Sequence, residues 1–208
     1  ATIVDGIDYA SQNGATIINM SFGGPSSNLY LSSMELAYST SILVAAAGNN
    51  GAGLDPCPIN CFPVYPAAYS FVLGVQEISI LGFLEYSNYD QSGPVYSPYQ
   101  DLLNYELYAP GSAIMSTTPN GGYASLTGTS MSAPLVSGGL DLLLEQKPEY
   151  SNEMVFGMLI NTIGDPYVDF FSSIETNPTP KLAVVSVDQS DENNSQNGNG
   201  FFEPNEII

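Results

Sequence analysis

The chain has 208 residues, which is enough for one domain with a sizeable core. It carries 21 acidic residues, two lysines and no arginine, and the net charge of −19 argues against nucleic acids and anionic membranes as partners. No run of about 18 apolar residues occurs, so we expect no membrane-spanning helix. Histidine, the side chain that most often acts as a general base in enzymes, is absent.

The first quarter of the chain alternates between helical and strand patterns. Residues 1–14 predict a helix, because Ile3, Ile7 and Ala10 recur at helical spacing and Gly14 suits a left-handed stop. Three further segments predict a strand buried on both faces, an amphipathic helix and a second buried strand: 15–20, 29–38 and 42–47. This alternation is typical of an α/β fold with a parallel sheet.

Each of the two predicted strands leads into a short polar or glycine-rich turn. The first turn consists of Ser21, Phe22, Gly23 and Gly24. In open α/β sheets ligands gather at the carboxyl ends of the strands, and glycines let a substrate backbone approach closely. Taken alone, the stretch is equally typical of an ordinary glycine turn. The second strand ends at Gly48 and Asn49, where the string Asn-Asn-Gly is also typical of a turn.

The middle of the chain is rich in glycine, proline and tyrosine. Residues 51–66 predict a loop that contains Cys57 and Cys61. This pair is compatible with a disulfide, half of a metal site or two free thiols, but the chain offers no further cysteine or histidine ligand. Residues 71–75 predict a third strand, and residues 90–106 predict a surface loop.

The second half of the chain predicts a strand, a hairpin and two helices. The strand covers 107–109, and the hairpin joins 113–116 to 123–126 around a turn at 119–122. A buried helix, apolar on nearly all faces, is expected to begin at Ser130. Ser151 is the expected N-cap of a last helix, whose apolar face carries Met154, Val155, Met158 and Leu159.

The start of the helix at Ser130 is a position where a serine could be a nucleophile. Residues 128–134 read Gly-Thr-Ser-Met-Ser-Ala-Pro. Free backbone N–H groups and the positive end of the helix dipole can stabilise negative charge there. The commoner use of a serine before a helix is as an N-cap, so position alone leaves both interpretations open.

Four segments, in this order along the chain, resemble motifs of the subtilisin-like serine proteases. Residues 19–24 resemble the family's substrate-binding strand, and residues 44–51 resemble its oxyanion-hole segment. Residues 108–111 match a hallmark Tyr-Ala-Pro-Gly string, and residues 128–134 resemble the nucleophile motif. The resemblance covers roughly residues 1–165. It implies an α/β, three-layer fold in which helices flank a mostly parallel sheet.

The resemblance also implies roles for individual residues. Ser130 would attack a peptide carbonyl, and the side-chain amide of Asn49 would donate to the oxyanion. Val64 would lie near the floor of the pocket for the residue that precedes the cleaved bond. At the position of Leu135 the family usually has a histidine that takes no part in catalysis. We expect the replacement of this histidine by leucine to change packing only. The backbone of the substrate would pair with Ser21, Phe22, Gly23, Gly24, Ala46, Ala47 and Gly48.

The family's catalytic aspartate and histidine precede all of these motifs, and this chain has no histidine. The resemblance therefore implies the C-terminal part of a serine endopeptidase domain that is inactive by itself. The alternative is a catalytically dead relative that serves as a secreted binding or scaffolding module. The presence of both Ser130 and Asn49 favours the protease, because packing alone does not demand that pair.

The last part of the chain differs in composition. We assign 1–186 to the peptidase domain and 187–208 to an acidic linker and the start of a following β-sandwich domain. Residues 197–206 resemble a string that opens such domains in large secreted bacterial proteins. A disordered linker is the simpler interpretation. Side-chain oxygens in this string could bind calcium weakly, and no other cofactor is expected.

We expect a secreted or cell-surface bacterial protein, part of a larger multidomain chain, acting on proteins or peptides. In that setting Cys57 and Cys61 favour a disulfide.

Overall fold

A computed structural model describes residues 2–24, 28–51, 63–79, 87–88 and 105–161. The two cysteines, residues 90–104 of the predicted surface loop and the predicted domain boundary at 187 lie outside these ranges. The elements, in chain order, are α1 (Ile3–Gln12), β1 (Ile17–Met20), α2 (Asn28–Tyr38), β2 (Ile42–Ala46), β3 (Leu73–Ile78), β4 (Leu107–Pro110), β5 (Ile114–Thr118), β6 (Gly122–Leu126), α3 (Thr129–Gln146) and α4 (Asn152–Asn161). None of the helices in these ranges is both long and apolar enough to cross a bilayer.

The central sheet is parallel and has the strand order β1-β2-β3-β4. In its register Met20 lies opposite Ala45, and Ala46 lies opposite Val75. Because all four strands run in the same direction, their carboxyl ends meet at one edge, where ligands bind in open α/β sheets. The segments that follow β1 and β2 therefore lie side by side.

Two apolar clusters cover the two faces of this sheet. Alternate residues of β2 point to opposite faces, as the pleat of a strand requires. Val44 joins the cluster that contains α3 and α4, whereas Leu43 joins the cluster that contains α1 and α2. The chain therefore forms three layers, helix, sheet and helix, which confirms the predicted α/β fold with a mostly parallel sheet.

The ends of several elements follow the predicted local chemistry. Gly14 has a φ of +83°, the left-handed conformation expected after α1. The backbone N–H of Met154 donates to the Ser151 hydroxyl at 3.4 Å, which places Ser151 as the cap of α4. The predicted hairpin is present as β5 and β6, and Asn120 and Gly121 in its turn both have positive φ.

Three burial predictions were wrong. The strand β1 was expected to be buried on both faces, but Asn19 is exposed, because β1 is the outermost strand of the described sheet. The helical spacing of Ile3, Ile7 and Ala10 predicts that they share the buried face of α1, yet 47% of Ile3 is exposed. The helix α3 was expected to be apolar and buried nearly all round, but Leu135 and Leu142 are exposed, because the helix packs on the sheet with one face only.

Candidate active site

Ser130 is the second residue of α3 and lies next to the turn that follows β1. Its hydroxyl donates to the backbone carbonyl of Ser21 at 3.2 Å. The Ser21 hydroxyl in turn donates to the backbone carbonyl of Ser130 at 3.0 Å. These two bonds join residues that are 109 positions apart in sequence. The start of α3 is thereby fixed against the carboxyl end of β1.

Asn49 lies beside the same helix start, and its side-chain amide has a defined orientation. The amide oxygen Oδ1 accepts from both the backbone N–H and the hydroxyl of Thr129, each at 2.9 Å. The oxygen is thus held against α3, and the amide nitrogen remains as the end that can donate to a ligand. A Cβ on Gly128, whose φ is +141°, would lie 3.1–3.3 Å from the Asn49 amide. Glycine at the N-cap therefore leaves room for this amide.

The backbone of the segment that carries Asn49 is held as well, by Thr129 on one side and by Asn88 on the other. The Gly48 N–H donates to the Thr129 hydroxyl at 3.1 Å. On the other side, the Asn88 amide nitrogen donates to the carbonyl of Ala47 at 2.9 Å, and the Asn88 backbone N–H donates to the carbonyl of Gly48 at 2.8 Å. Asn50 donates from its backbone N–H to Asn88 Oδ1 at 3.0 Å. The whole turn after β2 is therefore rigidly bonded.

Thr129 and Asn88 were not singled out from the sequence. Thr129 lies inside the nucleophile motif, where it reads as one more small residue before a helix. Asn88 lies 41 residues from the carbonyl that it binds. The available signal for Thr129 was its position inside the segment 128–134, and both residues prove to be buried.

The predicted pocket residue Val64 lies between the two predicted substrate-binding segments. A Cβ on Gly23 would lie only 2.3 Å from Val64 Cγ1, and a Cβ on Gly48 would lie 3.3 Å from Val64 Cγ2. The valine side chain therefore requires glycine at 23, whereas Gly48 is required mainly by Asn88 Nδ2, which would lie 2.5 Å from a Cβ, and by its φ of +101°. The structure places the turn after β1, the turn after β2 and Val64 in contact with one another.

The next residue, Tyr65, ties this region to the first turn. Its backbone N–H donates to the carbonyl of Gly24 at 2.8 Å, and the Gly24 N–H donates to the carbonyl of Tyr65 at 2.9 Å. Burial raises the pKa of the Tyr65 hydroxyl, so this phenol stays neutral at ordinary pH and does not supply a base.

The predicted substrate-binding residues differ in exposure. Phe22, in the turn after β1, is 42% exposed, whereas Ala46 and Ala47 at the end of β2 are buried.

A buried carboxylate lies behind the start of α3. Glu77, at the end of β3, is fully buried and accepts a hydrogen bond from the Ser112 hydroxyl. A Cβ on Gly111 would lie 2.3 Å from both Glu77 Cγ and Ser132 Oγ, so only glycine fits there. The Gly128 N–H donates to the Gly111 carbonyl at 2.9 Å. Glu77 therefore supports the loop that positions the N-cap of α3.

This arrangement has the parts needed to stabilise charge during acyl transfer. It combines a serine hydroxyl at a helix N-terminus with an oriented amide donor beside it. The Ser130 hydroxyl donates to a backbone carbonyl, which cannot accept its proton as a base does. The 208 residues include no histidine, the side chain that most often takes such a proton.

Comparisons with known proteins give one consistent result. The model of the Subtilase family, Peptidase_S8, matches residues 1–200. Subtilisin DY of Bacillus licheniformis is 37% identical over 172 residues, which are 80% of this chain and 57% of the relative. The major intracellular serine protease of Bacillus subtilis (strain 168) is 39% identical over 166 residues, covering 76% of this chain and 47% of the relative. The chain thus spans about half the length of these curated relatives.

A solved structure shares the fold. Sphericase superposes with a TM-score of 0.67 and 28% sequence identity, and the match covers 80% of this chain and 60% of that structure.

Proposed function

Because the chain belongs to the subtilase family, we propose that it is the C-terminal part of the catalytic domain of a serine endopeptidase. The observation that carries this proposal is the meeting of Ser130 and Asn49 at the start of α3, with Thr129 holding the amide oxygen of Asn49. A purely structural turn would not require a side-chain amide that is held by its oxygen next to a serine at a helix N-terminus.

In the complete domain Ser130 attacks the peptide carbonyl and forms an acyl-enzyme, which water then hydrolyses. A histidine, oriented by an aspartate, takes the Ser130 proton; both residues lie on sequence upstream of Ala1. The Ser130 N–H and the Asn49 amide nitrogen bind the oxyanion of the tetrahedral intermediate. The 208 residues alone therefore hydrolyse no peptide. No cofactor takes part in this chemistry.

The substrate is a protein or peptide bound as an added strand. Residues 21–24 and 46–48 line its binding site, because both turns lie at the carboxyl edge of the sheet with glycines that permit close approach. The N–H and carbonyl of Gly24 and of Gly48 already bond within the protein, so these two glycines do not pair with the substrate backbone. Val64 fills part of the space between Gly23 and Gly48. Small or medium apolar side chains are therefore preferred over large aromatic ones before the cleaved bond, by a graded margin.

The setting of the enzyme is proposed from the same family likeness and from composition. The high negative charge suits a secreted or cell-surface protein, and the relatives described above are bacterial. Residues 1–186 belong to the peptidase domain, and residues 187–208 lead into a further domain of a larger chain. Calcium bound by the oxygen-rich string at 197–206 would have a structural role.

The test uses the full-length gene product and a sulfonyl fluoride that labels activated serines. The wild type should hydrolyse a fluorogenic peptide and gain one covalent adduct on the peptide that contains Ser130. Ser130→Ala should lose both, whereas the control Ser125→Ala, at an exposed position of β6, should keep both. A full-length protein that lacks an upstream Asp-x-Gly and His-Gly motif, and shows neither hydrolysis nor labelling, would instead be the binding or scaffolding module.

A further inference from the structure

The backbone of Val64 is held on both sides. Its N–H donates to the hydroxyl of Tyr105 at 2.9 Å, and its carbonyl accepts from the N–H of Ala68 at 3.0 Å. The bond to Ala68 is local, but the bond to Tyr105 spans 41 residues of sequence. Tyr105 therefore fixes where the pocket valine lies relative to the sheet.

Tyr105 is itself held rigidly. It lies two residues before β4, and only 2% of it is exposed. Its backbone carbonyl accepts from the side-chain amide of Gln76 at 2.8 Å, and Gln76 is a fully buried residue of β3. The position of the Tyr105 hydroxyl is thus tied to the central sheet, and it gives the Val64 N–H a fixed acceptor.

We propose that Tyr105 is a positioning residue for substrate specificity, which sets the depth of the pocket by holding Val64 between Gly23 and Gly48. This proposal rests on the proposed function. Val64 Cγ1 fills the space that a Cβ on Gly23 would need, and Cγ2 would lie 3.3 Å from a Cβ on Gly48, so the side chain has little freedom while its backbone stays in place. Releasing the backbone is the route by which the valine can retreat from a larger substrate side chain.

The change Tyr105→Phe keeps the ring in the core and removes the hydroxyl. The Val64 N–H then faces the edge of an apolar ring and loses its acceptor. We expect the ratio of kcat/KM for a phenylalanine substrate to that for an alanine substrate to rise about three- to tenfold, which corresponds to one neutral hydrogen bond. The kcat for the alanine substrate should be unchanged.

The experiment measures this ratio in the full-length enzyme for four variants. They are the wild type, Tyr105→Phe, Val64→Gly and the double variant. With glycine at 64 no side chain remains to be positioned, so Tyr105→Phe should change the ratio by less than about twofold in that background. Tyr38→Phe is the matched control, because it removes a buried hydroxyl from the same apolar cluster without touching the Val64 N–H.

A second measurement does not depend on activity. Hydrogen exchange of the Val64 amide should be slow in the wild type and faster in Tyr105→Phe, while exchange in Tyr38→Phe should match the wild type. Equal exchange of Val64 in both tyrosine variants would overturn the proposal. An unchanged ratio of kcat/KM values in Tyr105→Phe would also overturn it. So would an equal change of this ratio by Tyr105→Phe in the wild type and in the Val64→Gly background. A full-length protein that hydrolyses nothing would refute the proposed function, and the exchange result would still decide whether Tyr105 holds Val64.

Discussion

Thr129 donates two hydrogen bonds to a single atom, Asn49 Oδ1, one from its backbone and one from its hydroxyl. An amide side chain can flip end for end, and a flip would replace its donor by an acceptor at the oxyanion. Two donors on the oxygen fix the orientation, because the NH₂ end cannot accept either bond. Thr129 thus fixes which end of the Asn49 amide is held against α3 and which end is left to donate.

The change Thr129→Val tests this control, since it keeps the shape and the backbone N–H and removes the hydroxyl. The hydroxyl donates to Asn49 Oδ1 and accepts from the Gly48 N–H, so the variant loses both hydrogen bonds that hold the amide and its segment in place. We expect kcat to fall about tenfold, or about 1.4 kcal/mol, with little change in KM. Thr129→Ser keeps the hydroxyl and should stay near the wild type. Steady-state kinetics on one peptide decide the matter, and a fully active valine variant would show that the orientation needs no hydroxyl.

The change Asn49→Leu removes the donor itself. Loss of the corresponding donor in a subtilisin costs about 100- to 1,000-fold in kcat, and we expect a loss of that order here. Adding Thr129→Val to Asn49→Leu should then lower kcat by less than about twofold, because the group that the hydroxyl orients is gone. Independent, multiplying losses in the double variant would contradict the coupling between the two residues.

Met131 directly follows Ser130, the proposed nucleophile, and is only partly buried. Peroxide should convert its thioether to the bulkier, polar sulfoxide and inactivate the enzyme. Met131→Leu should resist, whereas Met115→Leu, which removes a methionine that is 68% exposed, should be as sensitive as the wild type. Residual activity after timed peroxide treatment is the measurement. Equal loss in the wild type and Met131→Leu would point to oxidation elsewhere.

Cys57 and Cys61 are expected to be joined in the mature protein. The bridge would close a short loop and add about 2 kcal/mol to the free energy of unfolding in the loop-entropy model. Mass spectrometry after alkylation, with and without prior reduction, tests the pairing. Two alkylated cysteines in the unreduced protein would show that they are free thiols.

Much of the fold could be predicted because its signals are local. The strand β2 is an unbroken apolar run, and α3 begins where a glycine and small residues precede a long helical pattern. The errors concerned which faces are covered. The sequence around Asn19 and Leu142 does not indicate whether another element packs against them. Their exposure is evident only from the three-dimensional packing of the helices on the sheet.

The candidate site divides in the same way. Ser130 and Asn49 were predicted because they lie in strings that resemble family motifs. The residues that hold them were not predicted, because their contacts join distant parts of the chain. Asn88 and Tyr105 each bind a backbone group 41 residues away, and nothing in their immediate neighbourhood indicates the partner.

The distances along the chain between the paired residues govern when the site can come into existence. Ser21 and Ser130 are 109 residues apart, and Asn49 and Thr129 are 80 apart. Contacts of such separation form late, because a long loop has to close before they contribute anything. A nascent chain that ends before α3 therefore cannot yet hold Ser130 against Ser21 or orient the Asn49 amide through Thr129.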